Sequence, residues 1–347
     1  MNFLKTDIKS LTRDELESYF VALNHPKYRA QQVFSWLHKV GVKSFSDMSN
    51  LPIALREEFE KNFQIKSCFV ERFQTSKADG TVKYLFSLHD GGTIEAVLMT
   101  YKHGNSLCIS GQVGCNRACT FCATAKTGFL RDLSASEMLS QIHEAQAQSG
   151  KRISNVVLMG MGEPLDNLEN VLRFIDLAND EQGLNISKRN IAVSTCGLVP
   201  GILQLAKTAP QVTLSVSLHA PNDNIRKKIM PVNRFYPVHE LIDACRKHVE
   251  ITGRRITFEY ALFKGLNDNK SLAIELADLL KDIKCHVNLI PANPIGIDGF
   301  KRSDSKTVKE FAKILRENGI NATVRRTLGE DIDASCGQLK RRALEDL

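Results

Sequence analysis

Apolar residues change their spacing along the chain, from a helical period to strict alternation and then to a repeated strand-and-helix rhythm. Up to about residue 62 the spacing predicts helices. Thr12 stands three residues before Glu15 as a capping box, with Leu16, Phe20, Val21 and Leu23 following on one side; Arg29 to Val40 carries Val33, Phe34, Trp36 and Leu37; a third helix follows Pro52. Residues 1–62 are therefore expected to form a small helical domain with its own core, and helices alone equally allow a packing cap on the rest of the chain. Residues 63–100 alternate, as in Lys83-Tyr84-Leu85-Phe86-Ser87-Leu88, between the turn signals Asp79-Gly80 and Asp90-Gly91-Gly92. That pattern predicts antiparallel β-hairpins linking two domains.

From about residue 104, strand candidates at 105–110, 155–159, 190–194, 212–217, 255–262 and 285–290 alternate with helical stretches. The first helix, 134–149, opens on a Ser134/Glu137 capping box and keeps Met138, Leu139, Ile142 and Ala145 on one face; the second follows Asn167. Alternating strands and helices imply an α/β fold around a parallel sheet, and periodicity leaves a doubly wound sheet and a partial barrel both open. Either architecture collects chemistry just past the carboxyl ends of its strands. The residues found there are Cys115, the turn Gly160-Met161-Gly162-Glu163-Pro164, Ser194-Thr195, Ser217-Leu218-His219 and Asn293-Pro294.

A chain of 347 residues, 43% hydrophobic and 24% charged, has the composition of a globular protein with a large core, which excludes disorder and fibre. No apolar run reaches the roughly 18 to 20 residues of a membrane span, and MNFLKTDIKS lacks a secretory core, so a cytoplasmic location is expected. Nine cysteines, four of them crowded into Cys108 to Cys122, suit reduced thiols, ligation or catalysis rather than a disulfide framework. The net charge of +7 is mild, but Arg254-Arg255, Arg325-Arg326 and Lys340-Arg341-Arg342 cluster. A polyanionic partner and a plain solvated surface both account for these clusters.

The run Cys115-Asn-Arg-Ala-Cys119-Thr-Phe-Cys122 offers three thiols on one short loop. Three protein ligands leave one iron of a [4Fe–4S] cube open to a cofactor, and this spacing is the signature of enzymes that bind S-adenosylmethionine (SAM) there for radical chemistry. A zinc ion completed by a distant fourth ligand, or thiols that ligate nothing, are the competing readings. Gly162 and Glu163 pair a close backbone approach with a carboxylate suited to the methionyl ammonium of SAM, whereas an ordinary tight loop is the plain alternative. Ser194, Ser217, His219 and Asn293 offer polar groups at strand ends, equally accounted for by loop hydrogen bonding. Cys336 lies among acidic and small residues, in Gly329-Glu-Asp-Ile-Asp-Ala-Ser-Cys336-Gly, unlike a buried structural thiol.

Together the segments CISGQVGCNRACTFCAT, MGMGEPLDN, VSLHA, NLIPANP and GEDIDASCGQL resemble the RlmN/Cfr family of radical SAM methyl synthases that act on RNA adenosine, in the family's order and over nearly the whole chain. GEPL and NLIPANP are closer to the RlmN branch, which modifies adenine carbon 2, than to the Cfr branch, which modifies carbon 8. The resemblance implies a partial (β/α)6 barrel over 101–300, a helical RNA-binding domain over 1–62, a hairpin linker over 63–100 and a C-terminal extension over 301–347. It implies a [4Fe–4S] cluster on Cys115, Cys119 and Cys122, with SAM contacted by Gly162, Glu163, Ser194, Ser217, Leu218, His219 and Asn293 and used twice per turnover. By the same resemblance Cys336 carries the methyl group, Glu95 is the general base, and Cys108 resolves the covalent adduct by forming a disulfide with Cys336. The expected partners are 23S rRNA, tRNA and an electron-donor protein of the flavodoxin or ferredoxin type, with no membrane and a monomeric enzyme. Cys68, Cys196, Cys245 and Cys285 match nothing the chemistry requires and read as buried small hydrophobes.

Overall fold

The computed structural model describes residues 5–102, 104–292 and 300–332. Asn293 and Cys336 lie outside them. In α1 (Arg13–Ala22) the Thr12 hydroxyl accepts from Glu15 N at 3.3 Å while Glu15 Oε2 accepts from Thr12 N at 2.7 Å, the reciprocal cap that the sequence suggests. α2 (Lys27–Ser35) passes into a π turn, Trp36–Val40, and α3 (Ile53–Asn62) starts after Pro52. A short parallel pairing of β1 (Thr6–Asp7) with β2 (Phe63–Gln64) ties the ends of this segment together.

These helices do not keep a core to themselves. Leu16, Phe20, Val33, Phe34 and Phe59 belong to one continuous apolar cluster that also holds Met138, Leu139 and Ile142 of α4 (Ala135–Ser149). Three helices of about three turns each bury apolar residues that join the barrel's core, and the barrel's first helix packs against this segment at Ile8–Ser10. The seam carries polar links as well: buried His143 on α4 meets Lys9 Nζ at 3.3 Å and the His38 carbonyl at 3.0 Å, and at the surface Lys43 pairs with Glu144 at 2.7 Å.

A single sheet of ten strands runs through the rest. Its antiparallel flank is β3 (Cys68–Thr75), β4 (Val82–Leu88) and β5 (Thr93–Tyr101), which pairs with β6 (Gly104–Ile109). A separate antiparallel ribbon, β7 (Gln112–Gly114) with β8 (Phe129–Asp132), brackets the cysteine loop. From β6 the sheet continues in parallel through β9 (Ile153–Leu158), β10 (Ile191–Thr195), β11 (Thr213–Ser217), β12 (Ile256–Leu262) and β13 (Cys285–Pro291), ending at β14 (Ala322–Val324). The crossovers are α4, α5 (Leu168–Asn179), α6 (Val199–Thr208), α7 (Asp223–Ile229) with α8 (Val238–Thr252), α9 (Lys270–Leu280) and α10 (Ser305–Glu317).

Every parallel strand is added on the same side of its predecessor, with no reversal of direction. A doubly wound sheet needs such a reversal, so the order resolves the choice that periodicity leaves open in favour of a partial barrel. The hairpins are not a detached linker, since β5 and β6 continue the barrel sheet. The alternation along β4 also ends differently from a half-exposed strand. Tyr84 and Phe86 stack in the main core, and on the opposite face Lys83 and Leu85 are buried too, with Lys83 at 0% exposure.

Candidate active site

The cysteine loop is pinned at both ends. Cys115 N donates to Gly128 O at 3.0 Å, closing the loop at the mouth of the β7–β8 ribbon, and Thr120 donates through N (3.0 Å) and Oγ1 (3.3 Å) to Ile229 O at the end of α7. Arg117 Nε, bonded to Asp166 Oδ2 at 2.6 Å, ties the loop to the segment after β9. Cys115, Cys119 and Cys122 face a cavity of about 310 Å³ that Gly162, Glu163, Ser194, Ser217 and His219 also line. Among the described residues no three His, Cys, Asp or Glu side chains converge on a single-ion site; the three thiols instead share this cavity's wall.

Burial pushes the Cys115 thiol up to about 11, against a backbone hydrogen bond that lowers it, and the Cys119 thiol up to about 12, with neighbouring thiols adding to the rise. Half-buried thiols this reluctant to ionise become thiolates when a strongly cationic centre replaces their protons, which is what iron supplies. The residues present thus fit a cluster bound by three cysteines.

At the end of β9 the backbone comes very close to its neighbours. Gly162 has φ +104°, and a Cβ there would lie 2.6 Å from the Gln112 side chain; at Gly160 it would lie 2.7 Å from Ile109 O. Glu163 is 3% exposed, and its two oxygens accept from Leu165 N (3.0 Å) and Cys196 N (2.7 Å). Burial raises its pKa and those bonds pull it back. The carboxylate is thus first a brace between the loops after β9 and β10, and its residue also lines the cavity.

On the next strands, Ser194 and Ser217 reach the cavity as strand-end hydroxyls. Leu218 turns its side chain into the core at 0% exposure, while its N–H donates to Glu259 O and its carbonyl accepts from Arg226. His219, in left-handed backbone at φ +57°, accepts from Ala261 N through Nδ1 at 2.9 Å. Burial, reinforced by the Arg226 charge, lowers its pKa to about 3, so the ring is neutral with its proton on Nε2.

Glu95 and Cys108 sit apart from that cavity wall, within β5 and β6. Cys108 pairs with Val97, so Glu95, two residues before Val97, shares the inner face with it. Cys108, Val97 and Met99 form a small cluster with Val157, Met159 and Leu328, separate from the main core. Met159 also lines the cavity and so joins the two regions. Glu95 is 3% exposed and lies 3.7 Å from Lys83 Nζ. Beyond β14 the chain returns to this flank, where Gly329 N donates to Asp79 Oδ2 at 2.8 Å and Asp331 Oδ2 accepts from Lys77 N at 3.0 Å, shortly before Cys336.

Sequence reasoning passed over Lys83, Gln112, Cys196 and Arg226. Lys83 was within reach, because a hairpin turning at Asp90-Gly91 sets it diagonally across from Glu95 on one face. Gln112, whose Oε1 accepts from Glu163 N at 2.8 Å, and Arg226 carry no local signal. Cys68, Cys245 and Cys285 are buried as expected, whereas Cys196 also borders the cavity.

Residues 109–280 match the family described as Radical SAM superfamily, and residues 6–65 match the Ribosomal RNA large subunit methyltransferase N-terminal domain. A probable dual-specificity RNA methyltransferase RlmN of Lachnospira eligens is 50% identical over 342 residues, 99% of this chain and 98% of that one. Its counterpart in Clostridium tetani is 48% identical over 344 residues, 99% of this chain and 98% of the other. A radical SAM methyltransferase from Sphaerobacter thermophilus, solved by crystallography, superposes with a TM-score of 0.90 at 43% identity, covering 96% of this chain and 98% of that one.

Proposed function

The chain belongs to the RlmN family of radical SAM methyltransferases, and on that basis we propose that it methylates carbon 2 of adenosine in 23S rRNA and in tRNA. The observation that carries the proposal is the cavity in which Cys115, Cys119 and Cys122 face the strand-end groups Gly162, Glu163, Ser194, Ser217 and His219. Cys115, Cys119 and Cys122 would hold the [4Fe–4S] cluster, and Gly162, Glu163, Ser194, Ser217, Leu218, His219 and, by family resemblance, Asn293 would contact SAM, two molecules of which would serve one turnover. Bound there, the cluster supplies a single electron, taken from a flavodoxin- or ferredoxin-type donor, that starts radical chemistry on SAM.

Carbon 2 of adenine is electrophilic and has no lone pair, so polar attack on a methyl donor is closed to it. The chain's own groups handle the rest. Cys336 carries the one-carbon unit to the ring, Glu95 takes the ring proton once the adduct has given up one electron, and Cys108 attacks the Cys336 sulfur, breaking its bond to the one-carbon unit, which takes up a proton and leaves as the new methyl group while the disulfide forms. The burial of Glu95 and Cys108 on one inner face supports this division, because an adduct formed there is shielded from water. The helices of residues 1–62 and the basic pairs Arg254-Arg255 and Arg325-Arg326 meet RNA phosphates while the unstacked base enters the barrel.

The test is anaerobic reconstitution with iron and sulfide, then incubation with SAM, a reductant and unmodified 23S rRNA or tRNA, with the digested nucleosides read by mass spectrometry. The expected product is 2-methyladenosine from both RNAs. 8-Methyladenosine would assign the chain to the carbon-8 chemistry instead, and an unmodified tRNA would confine the activity to ribosomal RNA.

A further inference from the structure

Arg226 is the largest wholly buried side chain described, at 0% exposure in the middle of α7. Its guanidinium makes four hydrogen bonds: Nε to Leu218 O (3.1 Å), Nη1 to Asn233 Oδ1 (3.0 Å), and Nη2 to Cys196 O (2.5 Å) and Ser217 O (3.1 Å). All four acceptors are neutral. They take up four of its five N–H donors without cancelling its charge, so a cation remains out of water with the Asp223 carboxylate as a partial counter-charge. Asp223 is engaged one residue further out, accepting from Asn233 Nδ2 and Val238 N, both at 2.8 Å.

The place of this charge gives it a use. Cys196 and Ser217, whose carbonyls the guanidinium holds, border the cavity that the three cysteines line. Ile229, three residues along the same helix, accepts both bonds from Thr120, which lies between Cys119 and Cys122. Arg226 thus stands directly behind the wall where the cysteine loop meets the loops after β10 and β11.

We propose that Arg226 is a positioning residue for the cluster site: it fixes the β10 and β11 loops and, as a buried counter-charge, raises the reduction potential of the [4Fe–4S] cluster held by Cys115, Cys119 and Cys122. An oxidised cluster core of charge about +2 on three thiolates carries a net charge of about −1, and one electron from a low-potential donor makes it about −2. A fixed cation in a low-dielectric wall stabilises the more negative state more, so reduction becomes easier. A bracing role alone predicts no such shift.

The inference rests on the cluster reading of the three cysteines, and iron content with the reduced-cluster EPR signal of the unaltered protein checks that first. Absence of a cluster there would refute both. With the cluster present, an EPR-monitored redox titration compares the unaltered protein with Arg226→Gln, which keeps a hydrogen-bonding side chain and removes the charge. Its midpoint potential is expected to fall. Asp223→Asn, whose Oδ1 keeps both bonds while the opposing carboxylate charge disappears, is expected to move the potential upward by less. Structural damage does not produce opposite signs in the two variants. An unshifted potential in a loaded Arg226→Gln protein overturns the inference; if that variant takes up no cluster, Asp223→Asn decides alone, an upward shift supporting it and an unchanged potential overturning it.

Discussion

The parallel and antiparallel flanks of the sheet carry their chemistry in different places. On the parallel side the candidate groups that face the cavity sit at or just past strand ends, next to loops held by hydrogen bonds such as those Glu163 accepts from Leu165 N and Cys196 N. On the antiparallel side Glu95 and Cys108 sit within paired strands, and their position depends on pairing register, Leu85 opposite Glu95 and Val97 opposite Cys108. A loop tolerates local change provided its anchors hold. A mid-strand group is moved to the other face by a one-residue slip, so its surroundings must be specified by the whole sheet.

Breaking the loop side should have the largest effect. Cys119→Ala is expected to abolish cluster uptake and with it all methylation, read as iron and sulfide content after reconstitution. Retention of a full cluster would remove Cys119 from the ligand set. Glu95→Gln should leave cluster content unchanged and slow product release about 100-fold or more, with RNA accumulating covalently on the protein, visible as a retarded band on a denaturing gel. Normal release by that variant would end the general-base assignment.

Lys83→Met tests the register-dependent side by stability. It leaves the buried Glu95 carboxylate without the ammonium now 3.7 Å away, and removing one partner of a buried pair costs about 3–5 kcal/mol, measured by urea denaturation. The exposed pair Lys313–Glu317 should contribute less than about 1 kcal/mol when broken the same way. Equal losses at the two pairs would mean that burial on the inner face adds nothing.

The smallest effect sharpens the loop side. His219, ordinarily near 6.5, is lowered to about 3 in the fold, so the folded protein binds fewer protons than the unfolded chain between those values. Its contribution is complete above pH 6.5 and is lost as pH falls through that window toward 3. His219→Gln should therefore flatten the slope of stability against pH between 5 and 6.5, by up to about 1.4 kcal/mol per pH unit. An unchanged slope would place a charged imidazole in the wall.

Much of this was readable in advance, for a reason visible in particular residues. The caps at Thr12 and Ser134, the strands of the barrel and the cysteine loop all depend on residues within a few positions of one another, and such short-range patterns survive in a linear sequence. The motif residues after β9, β10 and β11 follow the same logic, since a parallel strand's end is the place where its loop meets the neighbours. In the helical segment amphipathicity shows that a face is buried and not against what; its apolar residues join Met138, Leu139 and Ile142 of α4 in one cluster, as a packing cap would.

The amino-acid sequence by itself determined the order of elements, the partial-barrel class through its family resemblance, and the three cysteines on one loop, because propensity, capping and motif spacing are local properties. Tertiary structure alone decided that Lys83 and Glu95 meet on an inner face, that Glu163 braces two loops, and that Arg226 stands as a buried charge behind the cysteine wall. Each of these joins residues from different elements, and what it costs or contributes is set by burial, which no single segment possesses until the sheet and helices close around it.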